Sequence, residues 1–137
     1  DRMFLSVIAA SYHEETLEKG DTRVVMKLPP ALAPVKVAVL PLVRKDGMPE
    51  KAREIIDKLK FNFKSHYDEK DSIGKRYRRQ DAIGTPYCVT IDHQTLEDNT
   101  VTIRERDTME QRRVTIEELE KELAKTTTIE SLLRQLI

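Results

Sequence analysis

The residues best suited to chemistry in this chain are cations that gather in two short stretches. Residues 73–83, IGKRYRRQDAI, carry Lys75, Arg76, Arg78 and Arg79, and residues 104–113 carry Arg104, Arg106, Arg112 and Arg113. Guanidinium groups suit phosphate oxygens and the edges of unpaired bases, and single-stranded RNA is read by edge contacts and stacking. The two stretches therefore predict a polyanion site. The open alternative is an ordinary solvated charged face.

The first stretch is predicted to form a helix with two unlike sides. At 3.6 residues per turn, the apolar side carries Ile73, Tyr77 and Ile83. Lys75, Arg78 and Arg79 lie on the other side, with Arg76 on the flank. Asp71 or Ser72 can cap the helix, and Gly84 followed by Pro86 ends it. In the second stretch, Arg104 and Arg106 share one face of a predicted strand.

The overall charge excludes a protein that is basic throughout. Lys and Arg together number 24, as do Asp and Glu, so the formal net charge is zero. A polyanion site must then come from local sorting of charge. The single cysteine, Cys88, excludes an internal disulfide framework and a multi-cysteine zinc site.

The sequence contains no complete active site. The phosphate-binding glycine loops and the G-x-S-x-G nucleophile motif are absent. His13, His66 and His93 show no metal-ligand spacing, so ordinary structural or surface roles are favoured. Cys88 lies in an apolar strand and is expected to be a small buried hydrophobe. Carboxylates near residue 107 lie among arginines, which favours salt bridges.

Hydrophobic periodicity predicts a three-layer α/β/α domain with a mixed five-stranded sheet, preceded by an N-terminal helix. Strands are predicted at 35–40, 64–68, 86–91, 100–106 and 112–115, and helices at 49–63, 73–83 and from 116. An earlier helix at 3–17 and a short strand at 23–28 precede this unit. Residues 92–99 are predicted to be a polar loop, and a last helix carries Ile129, Leu132, Leu133 and Leu136.

Three motifs carry a family resemblance: IGKRYRRQD, GTPYCVTID and TVTIRERDTMEQ. Together with APVKVAVLPL at 33–42, they resemble the C-terminal anticodon-binding domain of class II aminoacyl-tRNA synthetases of the homodimeric glycyl type. The resemblance covers residues 1–124 and implies a fragment of a longer protein. It implies the end of a catalytic domain and a linker at 1–32, the anticodon-binding domain at 33–124 and a helical extension at 125–137.

The resemblance also implies roles for particular residues. Arg2 matches the motif 3 arginine that contacts ATP in the family, and no catalytic or metal-binding residue is expected in the fragment. The expected base-edge contacts are Arg104 first, then Arg106, Asp107, Thr108 and Gln111. Lys75, Arg76 and Arg79 are expected to contact phosphates, which fix register without reading sequence.

The parent enzyme implied by the resemblance is a cytoplasmic homodimer that uses ATP and Mg²⁺ to attach glycine to its tRNA. The fragment itself is expected to be inactive, to need no cofactor, to bind the anticodon stem-loop of glycine tRNA and to contact its missing catalytic domain. No apolar run reaches the roughly 20 residues that span a bilayer.

Two other classes remain open at this point. One is a non-catalytic accessory factor, like the synthetase-related accessory subunit of a DNA polymerase, that uses the same domain for protein or duplex DNA contacts. The other is an interaction module whose apolar faces at 3–12 and 129–137 pack on a partner or a second copy.

Overall fold

Helices and strands alternate along most of the chain. The structure, a computed structural model, describes residues 2–136, apart from the side chains of Met3, Phe4 and Leu136. Its helices are α1 (Arg2–Ser11), α2 (Met48–Leu59), α3 (Ile73–Ile83), α4 (His93–Asp98), α5 (Ile116–Thr127) and α6 (Ile129–Leu136). Its strands are β1 (Tyr12–Thr16), β2 (Thr22–Met26), β3 (Val37–Pro41), β4 (Ser65–Tyr67), β5 (Tyr87–Ile91), β6 (Thr100–Glu105) and β7 (Gln111–Thr115).

The central sheet has five strands in the order β4-β3-β5-β6-β7. β3 runs parallel to both of its neighbours, as expected when a helix connects successive strands. β6 is antiparallel to β5 and to β7, and its residue Arg104 lies opposite Cys88 on one side and Gln111 on the other. This topology confirms the predicted mixed sheet. β1 and β2 form a separate antiparallel hairpin.

The two faces of the sheet are covered differently, which confirms the three layers. On one face α2 and α5 pack over an apolar core. Its members include Val37, Val39, Ile55, Leu59, Ile103, Leu119 and Leu123, all at most 1 % exposed. On the other face lie α3 and the hairpin, because β2 packs against α3. The apolar cluster there is small, with Ala38, Leu40 and Cys88 at its centre.

Helix α3 begins and ends where the sequence predicts. The Ser72 hydroxyl accepts a hydrogen bond from the Lys75 amide at 3.5 Å, so Ser72 rather than Asp71 is the cap. Gly84 closes the helix with φ of 86°, a left-handed conformation that favours glycine. The helix is thereby fixed at both ends.

Two local predictions are wrong. The helix predicted over 3–17 ends at Ser11, because Tyr12–Thr16 pairs with Thr22–Met26 and cross-strand bonds replace the helical ones. Residues predicted to be a loop at 92–99 contain α4, which a capping box stabilises. The Asp92 carboxylate accepts from the Thr95 amide at 3.0 Å, and the Thr95 hydroxyl accepts from the Asp92 amide at 3.1 Å.

Candidate nucleic-acid interface

The cations of α3 are divided between solvent and the interior. Lys75 and Arg79 are exposed and Arg78 is half-buried, whereas Arg76 is only 3 % exposed. The predicted faces are therefore wrong at two positions, since Arg76 points inward and Ile83, at 43 %, is exposed. The inner side of α3 can be polar because its buried side chains find partners there.

Arg76 contacts the main chain around the end of β3. Its guanidinium donates to the carbonyl oxygen of Pro41, to that of Leu42 at 3.5 Å, and to that of Asp71 at 3.2 and 3.3 Å. Desolvation lowers the pKa of this guanidinium. Arg76 thus joins β3 to the loop that precedes α3, and its donors point into the protein.

The exposed and half-buried cations of α3 differ in how far ion pairs already neutralise their charge. Arg79 pairs with Asp68 at 2.7 Å and with Asp71 at 2.8 Å, and hydrogen bonds to these carboxylates raise its pKa. Lys75 and Arg78 form no side-chain hydrogen bond or ion pair with any residue that the structure describes. Lys75 and Arg78 are therefore the cations of α3 whose charge no ion pair among the described residues offsets.

Arg104 of β6 is buried against α3. It is 4 % exposed, and its Nη1 and Nη2 donate to the two oxygens of Asp81 at 2.9 and 3.1 Å. Its guanidinium carbon lies 4.7 Å from the centre of the Tyr77 ring, in cation–π range. Burial alone would lower the pKa of Arg104, but the hydrogen bonds and charge of Asp81 outweigh it and raise the pKa.

Arg106 follows β6 and is also buried, at 2 % exposure. Nη1 donates to the carbonyl of Gly84 at 2.8 Å, and Nη2 donates to that of Leu28 at 2.6 Å. Nε donates to the carboxylate of the neighbouring Asp107 at 2.9 Å. Arg106 therefore ties the end of β6 to the end of α3 and to the segment after β2.

The turn between β6 and β7 presents the remaining predicted contacts to solvent. Asp107, Thr108 and Gln111 are all exposed. The Glu105 amide donates to the Glu110 carbonyl at 2.9 Å, and Met109 takes a left-handed φ of 62°. The turn and the first residue of β7 thus present three exposed hydrogen-bonding side chains at one end of the sheet.

The structure connects β6 and the turn after it to the C-terminal end of α3. Arg104 joins β6 to Asp81 of α3, and Arg106 joins the start of the β6–β7 turn to Gly84, which ends α3. Arg2 is exposed at the start of α1. None of these contacts tests RNA or ATP binding, so the assigned roles stay predictions.

Arg23 and Asp81 escaped sequence reasoning. Asp81 accepts hydrogen bonds from both Arg104 and Arg23, and both Asp81 and Arg23 are at most 1 % exposed. The only signal in the sequence was the strand alternation in TRVVM, which places Arg23 on the same side as buried Val25. That alternation predicts which face of the strand carries Arg23, but it does not identify the residues that Arg23 contacts.

Other chemistry is not assembled in the part of the chain that the structure describes. Residues 2–136 contain no group of three His, Cys, Asp or Glu side chains that could hold a metal ion. Burial raises the pKa of the Cys88 thiol to about 12, only partly offset by the nearby Arg104 charge, so the thiolate that a nucleophile needs is rare. Nor do these residues include a helix both long and apolar enough to cross a bilayer.

The fold places the chain in a class of known domains. It is similar to the RNA-binding domain of threonyl-tRNA synthetase from Cryptosporidium parvum, with a TM-score of 0.66 and 26 % identity over 73 % of this chain and 25 % of that one. It is also similar in fold to prolyl-tRNA synthetase from the same organism, with a TM-score of 0.66 and 22 % identity over 82 % of this chain and 29 % of that one. The class is thus an α/β domain found in aminoacyl-tRNA synthetases.

The family follows from the sequence match. The chain belongs to the anticodon-binding domain family, whose model, described as "Anticodon binding domain", matches residues 36–126. Among curated relatives, the glycine–tRNA ligase of Clostridium tetani is 55 % identical over 107 residues, which is 78 % of this chain and 23 % of that protein. That of Borrelia hermsii is 53 % identical over 106 residues, 77 % of this chain and 24 % of that protein. The chain therefore spans about a quarter of the length of these relatives.

Proposed function

We propose that this chain is the anticodon-recognition part of a glycine–tRNA ligase and that it binds the anticodon stem-loop of glycine tRNA. The observation that carries the proposal is the identity of more than half over 106 and 107 residues to two ligases that act on glycine. The catalytic step, in which glycine is attached to tRNA with ATP and Mg²⁺, belongs to a domain that these residues do not contain.

The proposed RNA surface combines the outer side of α3 with the β6–β7 turn. Asp107, Thr108 and Gln111 offer acceptors and donors to unpaired base edges, which is how single-stranded loops are read. Arg104 and Arg106 hold β6 and the start of the turn in place from the interior, because their guanidinium groups are buried and hydrogen-bonded to protein atoms. Their predicted role as direct base contacts is replaced here by that supporting role.

Phosphate contacts are assigned to exposed cations of the same surface. Lys75, Arg78 and Arg79 are accessible from solvent, and such contacts position RNA without reading its sequence. Arg76 leaves the predicted set because its donors bind main-chain carbonyls inside the protein. A surface of this kind fits a chain of zero net charge, since it needs only local sorting of cations.

The wider assignment follows the relatives. We place the end of the catalytic domain and a linker at 1–32, where Arg2 contacts ATP, and the anticodon-binding unit at 33–124. Residues 125–137 are a helical extension. The parent works as a cytoplasmic homodimer. These assignments rest on the resemblance of the motifs and on the names of the relatives.

Binding to two RNA stem-loops tests the function. Residues 1–137 are titrated with a stem-loop that carries a glycine anticodon and with the same loop carrying a different anticodon, at 50 and 200 mM salt. We expect tighter binding to the glycine loop and weaker binding to both at higher salt. Equal affinity for the two loops would overturn anticodon recognition.

Matched variants locate the surface. Arg78→Gln should weaken binding to both loops about equally and reduce the slope of log affinity against log salt by about one. Lys121→Gln removes an exposed cation from α5, on the opposite face of the sheet, and should change neither quantity. An equal effect of the two substitutions would place the RNA elsewhere.

A further inference from the structure

A buried arginine outside the matched family region contacts the β6–β7 turn from behind. Arg23 lies on β2, before residues 36–126, and its side chain is 0 % exposed. Its Nη1 donates to the main-chain oxygen of Arg106 at 2.8 Å, and its Nη2 donates to that of Asp107 at 3.4 Å. Both acceptors are carbonyls at the start of the turn. The hairpin therefore contacts the backbone that carries the proposed base-reading side chains.

The position of the Arg23 guanidinium is fixed from two sides. Glu15 accepts from Nε at 2.8 Å and from Nη2 at 2.6 Å, across the β1–β2 hairpin. Asp81 of α3 accepts from Nη1 at 3.1 Å. A planar guanidinium with partners on several edges has one orientation, which an ammonium group cannot reproduce. The geometry of the two turn carbonyls thus depends on this one side chain.

The backbone of the turn includes an unfavourable conformation that hydrogen bonds from neighbouring residues must stabilise. Met109, at its centre, is a non-glycine residue with a left-handed φ of 62°, a conformation kept where the surrounding structure enforces it. Within the turn, the Met109 amide donates to the Glu105 carbonyl and the Glu105 amide to the Glu110 carbonyl, both at 2.9 Å. The main-chain carbonyls of residues 106 and 107 accept hydrogen bonds from Arg23, which lies outside the turn.

We propose that Arg23 is a positioning residue for anticodon recognition. It sets the path of the backbone at residues 106 and 107, and thereby the placement of the Asp107, Thr108 and Gln111 side chains against RNA bases. This role rests on the proposed function, because it requires that the turn reads the anticodon. It makes the hairpin, and not only the matched domain, part of the specificity of binding.

The test is the ratio of affinities for the glycine loop and the altered loop, measured on residues 1–137. Arg23→Lys keeps the charge but reaches fewer acceptors, and we expect the ratio to fall by about tenfold. Partial unfolding cannot imitate this result, since it lowers the competent fraction equally for both loops and leaves their ratio unchanged. Lys27→Met is the control, because Lys27 also pairs with Glu15, at 2.6 Å, without reaching the turn.

The outcomes separate this proposal from the function. If the unmodified chain binds both loops equally, the proposed function fails and this role fails with it. If the unmodified chain discriminates and Arg23→Lys discriminates equally well, only the role of Arg23 is overturned. Should Arg23→Lys not fold, Glu15→Gln decides. This substitution weakens the hydrogen bonds from Arg23 to Glu15 at a partly exposed position, and it should lower the ratio of affinities by about threefold. An unchanged ratio would overturn the role of Arg23. So would an equal fall of the ratio in Lys27→Met.

Discussion

Arg104 and Asp81 form a two-point ion pair in the interior, with Nη1–Oδ1 and Nη2–Oδ2 distances of 2.9 and 3.1 Å. Asp81 comes from α3 and Arg104 from β6, so the pair joins a helix to the sheet where an apolar contact would be usual. Arg23 adds a third guanidinium bond to the same carboxylate, at 3.1 Å. One acidic residue therefore compensates two buried cations, with Glu15 sharing the charge of Arg23.

Asp81→Asn should destabilise the fold strongly. It leaves Arg104 and part of Arg23 buried without a counter-charge, and breaking a buried pair from one side costs about 3–5 kcal/mol. Urea unfolding at pH 7, followed by circular dichroism, measures the change in free energy. Asp71→Asn is the control, because it breaks an ion pair with Arg79 at a position whose side chain is 51 % exposed, where solvent screens the interaction. Similar losses of unfolding free energy in the two variants would contradict the claim that burial makes the Asp81 ion pairs costly to break.

Gly84→Ala should cost more than Gly47→Ala. Both glycines have positive φ, 86° and 81°, so alanine meets a similar backbone penalty of about 1–2 kcal/mol at each. A Cβ at Gly84 would in addition lie 3.0 Å from Leu28 Cδ1 and 3.2 Å from the Met26 oxygen, whereas at Gly47 nothing lies within 4 Å. The difference between the two thermal shifts measures the approach of the segment after β2 to α3. Equal shifts would rule out that close contact.

Acid should remove the contribution of Glu15. A hydrogen bond from Lys27, then those from Arg23, lower the pKa of this carboxyl below its ordinary value of 4.5. A lowered carboxyl pKa stabilises the fold above the ordinary value, and that stabilisation is lost as the pH falls through the lowered pKa. The unfolding free energies of the unmodified chain and Glu15→Gln should therefore differ at pH 7 and converge towards pH 3. A constant difference would contradict the charge pairing.

Cys88 should resist thiol reagents until the domain unfolds. Burial raises the pKa of its thiol to about 12, so the thiolate is rare at pH 8, and the side chain is 1 % exposed. Reaction with a disulfide reagent at pH 8 should be slow in buffer and rapid in denaturant. Ala82→Cys in a Cys88→Ala background gives the rate of an exposed thiol on α3. Fast labelling of Cys88 in buffer would mean that β5 opens locally.

Periodicity predicted the elements that bury apolar side chains, and it missed the inward position of polar ones. Apolar runs such as Val37–Pro41 predict the sheet strands, and apolar spacing predicts α2, because buried positions of these elements carry apolar residues at regular intervals. The inward position of Arg76 leaves no such pattern, since arginine is mostly exposed unless it is paired. Its partners come from residues up to 35 positions away in sequence. Only the fold identifies them.

The sequence marked the stretches of the candidate site but not the burial of each of its side chains. The motifs around residues 73–91 and 100–111 contain α3 and the β6–β7 turn, which hydrogen bonds of Arg104 and Arg106 join in the structure. Which arginines face solvent depends on Asp81 and on the carbonyls of Leu28 and Gly84. These acceptors become available only once the hairpin packs on α3. The α4 helix, by contrast, could have been found from the spacing of Asp92 and Thr95.

The unlike faces of the central sheet imply unlike routes of sequence change. The α2 and α5 side is filled by aliphatic side chains, whose exchange at constant volume is tolerated one residue at a time. The α3 side depends on guanidinium–carboxylate geometry, where replacing one member leaves a buried charge. Variants of this domain should therefore drift gradually on the first side. On the α3 side, sequences should change only by joint replacement of Arg23, Asp81 and Arg104. Sequences in which only one of the three residues has been replaced should fold poorly.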